Sequence, residues 1–149
     1  MTREISHTIE IDASPDQVWS VLSETTSFPS WNPFIRKLEG QLAAGAKLLV
    51  VIQSPGRRQS TFRPTVLTVA PARELRWLGR LLTPGLLDGE HSLSLEPTPN
   101  GGTRFTQAEK FNGILVAPFK GVLDSTTLGF QQMNEALKAR VEDRQGAQP

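Results

Sequence analysis

The chain has 149 residues and 38% apolar content, enough for one domain with its own core and typical of neither a disordered nor a membrane protein. Sixteen basic and fifteen acidic residues are spread along it for a formal charge of +1, without the concentrated basic footprint of a nucleic-acid binder. It contains no cysteine, which excludes disulfides, thiolate metal sites and a thiol nucleophile.

Residues 1–11 alternate polar and apolar without a signal-peptide core, and no apolar run approaches the ~20 residues that span a bilayer. A cytoplasmic protein without stable membrane insertion is the expectation. Ile5, His7, Ile9 and Ile11 share one parity, the period of a strand with one buried face. Ser14, Pro15 and Gln17 then form a capping-box start to a helix that carries Val18, Trp19, Val21 and Leu22. Pro29 and Pro33 keep that helix short, and residues 25–31 read as a second short helix or turn.

Strands are expected at 34–40, 47–53, 60–70, 74–79, 86–97 and 102–112. Pro64 inside the third of these predicts a bulge or a sheet edge. Pro99, Asn100, Gly101 and Gly102 predict a hairpin between the last two. From 117 to about 144, Phe119, Val122, Leu123, Phe130, Met133, Leu137 and Val141 recur at spacings that make one stripe of a long helix, weakened locally by Gly121 and Gly129. Residues 145–149 read as a frayed tail. The expected fold is therefore α+β and a single domain over 1–149. A seven-stranded curved antiparallel sheet wraps around the C-terminal helix, with two short helices after the first strand.

That order resembles the START-like, or helix-grip (SRPBCC), superfamily, of the polyketide cyclase/dehydrase and lipid-transport type. The local sequence adds to the likeness. Ile9, Asp12, Ala13, Ser14, Pro15, Val18, Trp19, Val21 and Leu22 are similar to the family's first strand and helix start. Phe28, Pro29, Trp31, Asn32, Pro33 and Phe34 are similar to its entry into the second strand. Leu75, Arg76 and Trp77, then Gly89, Glu90 and His91, resemble its later strands. Thr103, Arg104 and Phe105 with Glu109, Phe111 and Gly113 resemble its seventh. The resemblance implies a cavity between the concave sheet and the C-terminal helix, in which family members hold lipids, sterols, polyketides or hormones. A few members are cyclases or dehydratases and others bind protein partners, so the fold does not decide the function.

Parity singles out candidate site residues. Leu87, Gly89, His91, Leu93 and Leu95 lie on one face of their strand, and Phe105, Gln107, Glu109 and Phe111 on one face of the next. If Leu95 pairs with Phe105, His91 falls opposite Glu109, about 5 Å away at Cβ. An imidazole beside a carboxylate in an apolar pocket suits proton transfer during cyclisation or dehydration, and equally suits orienting a polar group on a ligand or holding the hairpin in place. Trp31 and Phe34 are expected at the cavity mouth and Trp77 on its wall. Phe105 and Phe111 face inward, and Phe119, Leu123 and Phe130 are the helix residues that face the sheet. Residues 112–118 would form the loop entering the helix and gate the opening.

Two histidines without cysteine make a zinc set hard to assemble, and no nucleophile elbow, phosphate loop or dinucleotide fingerprint is present, so no metal and no cofactor is expected. The leading expectation is a binding protein for an apolar small molecule. The alternatives are a cyclase/dehydratase using His91 and Glu109, and a protein-interaction module without ligand. The sequence leaves the oligomeric state open.

Overall fold

The computed structural model describes residues 2–81, 87–113 and 120–146. The first strand, β1 (Thr2–Ile11), alternates exposed and inward-facing residues as its sequence dictates. Helix α1 (Pro15–Ser23) follows, and both halves of its capping box form. The Gln17 amide donates to Ser14 Oγ, and the Ser14 amide donates to Gln17 Oε1. Val18, Val21 and Leu22 are its buried face. A short 3-10 turn at Thr25–Ser27 leads into α2 (Phe28–Trp31), a single turn with Pro29 at its start.

The remaining strands are β2 (Ile35–Glu39), β3 (Leu49–Ile52), β4 (Ser60–Phe62), β5 (Thr65–Ala70), β6 (Glu74–Leu81), β7 (Leu87–Pro97) and β8 (Thr103–Asn112). They form a five-stranded antiparallel sheet in the order β1-β8-β7-β6-β5 and a three-stranded one in the order β2-β3-β4. Among the described residues, the count of seven strands is therefore corrected to eight in two sheets, because the strand expected over 60–70 divides at Arg63 and Pro64. Pro64 has no N–H for a ladder. Before it the chain pairs with β3, and after it the chain changes partner to β6. The two sheets stay joined at this corner. The Leu48 amide donates to Pro64 O at 2.9 Å, the Val66 amide donates to Ala46 O at 2.8 Å, and Lys47 bridges Thr65.

The hairpin between β7 and β8 forms as expected, with Gly101 at φ +85° and the Thr98 amide donating to Gly102 O at 3.0 Å. It sets the register that pairs Leu95 with Phe105 and His91 with Glu109.

Helix α3 (Lys120–Gly146) lies across the concave face and runs two residues past the expected end. Leu123, Phe130, Met133, Leu137 and Val141 are all buried, each worth about 1.5–3 kcal/mol of apolar burial. Polar contacts dock its C-terminal half on β1. Lys138 Nζ donates to Glu10 O at 2.9 Å, and Glu142 accepts from the Asp12 amide at 2.8 Å. Gly129 has a packing reason rather than a weakening one. The Phe34 ring lies so close to the helix that a Cβ at this position would collide with it. No described helix is long and apolar enough to cross a membrane.

Candidate functional site

Three consecutive inner rows run across β6, β7 and β8. The first is Leu75, Leu93, Gln107, the second is Trp77, His91, Glu109, and the third is Gly79, Gly89, Phe111. In the third row two adjacent strands present no side chain at all. A cavity of about 540 Å³ opens over this bare patch. Trp77, Glu109 and Phe111 border it on the sheet, and Val122 and Thr126, one turn apart, face it from α3. Ile52 and Phe62 close it from the smaller sheet, and Phe34 from the bend that leads into β2. Thr126 donates its hydroxyl to Val122 O at 2.8 Å, so this wall offers the cavity no free hydroxyl. Arg57, Arg58 and Arg80 stand around the space, and Arg57 Nε donates to Ser125 Oγ on α3 at 3.1 Å.

His91 lies beneath this floor with only 4% of its side chain exposed. Its ring stacks on Trp77 at 4.8 Å and meets Phe130 edge-on at 5.2 Å. Nδ1 lies 3.0 Å from Glu109 Oε1, and Nε2 lies 2.9 Å from Gln107 Oε1. Gln107 Nε2 donates to Asn134 Oδ1 at 2.9 Å. Asn134 Nδ2 lies 2.9 Å from both the backbone carbonyl and the Nδ1 of His7. A buried polar chain thus runs from the cavity floor to β1.

The polarity of this chain is fixed at one end. A backbone carbonyl can only accept, so Asn134 must turn its NH₂ to His7 and its carbonyl to Gln107. Gln107 must then turn its NH₂ to Asn134 and its carbonyl to His91. His91 Nε2 therefore carries a hydrogen, and Nδ1 and Glu109 Oε1 share one proton between them. Glu109 Oε2 is the remaining oxygen. It lies over Gly89, where any Cβ would collide with it, and among the described residues it has no hydrogen-bond partner.

Of the residues singled out by sequence, Phe34, Trp77, Glu109 and Phe111 border the cavity. Phe105, Leu123 and Phe130 are fully buried in packed core, with Phe105 toward the hairpin end of β8 and Phe130 between Phe34 and His91. Trp31 packs edge-on against Phe28 at 5.3 Å, away from the cavity, because the single turn of α2 points it at that ring. Phe119, and most of the loop expected to gate the opening, lie outside the described residues.

Sequence reasoning placed Gly89 and Gln107 on inner faces but gave neither a role in the site, and it gave none to Gly79, Asn134 or the rim arginines. The glycines carried a signal, since a glycine inside a strand on its inner face marks open space or a close approach. Asn134 carried one too, as a polar residue beside Met133 on the buried stripe. No pattern linked Arg57 and Arg58 to a site until the chain was folded.

Across the described residues, a sheet gripping a helix beside a half-open, largely apolar cavity defines a helix-grip domain. The chain belongs to the polyketide cyclase/dehydrase and lipid transport family, which matches residues 2–142. No curated protein matches the sequence. Among solved structures, the Zhui aromatase/cyclase of a Streptomyces species superposes with a TM-score of 0.74 at 15% identity, covering 99% of this chain and 98% of that one. A START superfamily protein from Mycobacterium smegmatis gives 0.73 at 21% identity, with 94% and 97% covered. Truncated norcoclaurine synthase from Thalictrum flavum gives 0.71 at 18% identity, with 95% and 94% covered. At these identities the likeness is one of fold.

Proposed function

We infer that the protein binds an apolar small molecule, lipid-, sterol- or polyketide-like, in the cavity between sheet and C-terminal helix. Glu109 is the polar contact at the floor. The observation that carries this reading is a cavity of about 540 Å³ produced by Gly79 and Gly89, within the size range of small-molecule sites and walled mainly by apolar groups. Family membership supports the same class of function. Native mass spectrometry of the purified protein, followed by denaturing extraction, is expected to reveal a copurified apolar molecule or, after stripping, one-to-one uptake of an added fatty acid or aromatic polyketide. A protein that stays empty with a panel of such molecules at millimolar concentration contradicts the reading.

A second reading is favoured by the pairing of His91 Nδ1 with Glu109 Oε1 at 3.0 Å beside the cavity. There the pair acts as acid and base in a cyclisation or dehydration, in line with the aromatase/cyclase among the structural relatives. Glu109→Gln and His91→Ala would then abolish conversion of a bound polyketide while leaving its uptake measurable. Equal conversion by the variants removes this reading and leaves the first.

A further inference from the structure

Resting on the binding reading above, we propose that the cavity selects an apolar molecule with a hydrogen-bond donor at its inner end and an acidic group at its outer end. The first half follows from the direction of the buried chain. The His7 carbonyl, Asn134 and Gln107 together place a hydrogen on His91 Nε2, which leaves a single proton between Nδ1 and Glu109 Oε1. That proton sits on nitrogen or on Oε1. In neither arrangement does Oε2 carry a hydrogen. The one polar atom presented over the Gly89 floor is therefore an acceptor in both states. A hydroxyl, phenol or N–H on the ligand satisfies it, whereas a ketone or ether oxygen placed there faces another acceptor and is left unpaired.

The second half follows from the rim. Arg57, Arg58 and Arg80 line the same cavity, and guanidinium groups only donate. Arg80 faces Asp88 at 3.9 Å, but among the described residues neither Arg57 nor Arg58 has an ion-pair partner. Arg57 is held in place by Ser125 and lies against Gly121, where α3 has no side chain to push it away. A carboxylate or phosphate at the mouth would meet pre-positioned donors. The two ends thus ask for opposite chemistry, a donor below and an anion above, with the apolar body of the ligand against Trp77, Phe111 and Val122.

The test compares rigid probes of one skeleton. They are a hydroxynaphthoic acid with hydroxyl and carboxyl at opposite ends, its methyl ether, and the naphthol that lacks the carboxyl, each titrated by calorimetry. The hydroxy acid is expected to bind roughly tenfold or more tighter than either of the others, the scale of one hydrogen bond to a charged group. In Glu109→Leu the floor loses its acceptor, so the preference for hydroxyl over ether should collapse. In Glu109→Gln the amide must turn its NH₂ to the bare His91 Nδ1 and its carbonyl to the floor, so the preference should persist. In an Arg57→Gln/Arg58→Gln double variant the preference for acid over naphthol should collapse. Ether binding as tight as the hydroxy acid in the native protein overturns the floor assignment, and naphthol binding as tight overturns the rim. Both results leave the apolar cavity standing, and neither depends on a variant folding. Failure of every probe to bind overturns this inference and the reading beneath it together.

Discussion

The two ends of one sheet-and-helix layer behave differently. Toward the hairpin, the inner positions of β7 and β8 carry Leu93, Leu95 and Phe105. With Met133, Leu137 and Val141 of α3 they belong to one buried cluster. Toward the other end the same two strands carry Gly89, Glu109 and Phe111 under Val122 and Thr126, and the space stays open. The polar chain from Glu109 to His7 marks the border between them. Backbone geometry is shared across both ends, so the cavity arises from side-chain volume, and above all from Gly79 and Gly89 standing side by side.

That contrast can be broken most severely at the packed end. Phe105→Ala should cost about 3–5 kcal/mol in urea unfolding, since it empties a fully buried site between strands and helix. Phe111→Ala at the open end should cost far less, because one side of that ring already faces space. Equal losses would mean that the cavity is closed in solution.

The border comes next. Asn134→Leu leaves the His7 carbonyl and Gln107 Nε2 without their partner and should cost about 1–3 kcal/mol. It should also release the fixed tautomer of His91. Nitrogen NMR of the native protein is expected to show Nε2 protonated, and an Nδ1–H, Nε2-bare ring would refute the deduced polarity.

Gly79→Val sharpens the comparison from the open side. A Cβ there meets nothing closer than 3.9 Å, so a branched side chain should fit the strand and change stability by less than about 1 kcal/mol while it fills the cavity and abolishes ligand uptake. Unimpaired uptake would move the binding site elsewhere.

The smallest effect lies where α3 is tied to β1. Partial burial acts to raise the Glu142 carboxyl, but hydrogen bonds from Lys138 and the Asp12 amide outweigh it and hold the group below its ordinary value of 4.5. A carboxyl lowered on folding contributes stability above its unfolded value and loses that contribution as pH falls through the folded one. The native protein should therefore lose slightly more stability below pH 4.5 than Glu142→Gln does. At neutral pH the pair with Lys138 should be worth about 0.3–0.5 kcal/mol.

Sequence alone determined the elements and the side of each that faces inward. Parity put His91 and Glu109 on inner faces, the Asn-Gly hairpin fixed their register, and the spacing from Val122 to Val141 made the gripping helix. These are local rules, legible because each strand and turn obeys them within a few residues. Where Pro64 would divide a strand was half legible, as a break without a new partner. Tertiary structure decided which inward residues meet space and which meet core. Trp31, Phe105, Leu123 and Phe130 share the apolar pattern of Trp77 and Phe111, but packing across elements puts only the latter pair at the cavity. The direction of the chain from His7 to Glu109 was likewise beyond any sequence pattern, since it depends on β1, β8, β7 and α3 bringing one backbone carbonyl, two amides and an imidazole into line.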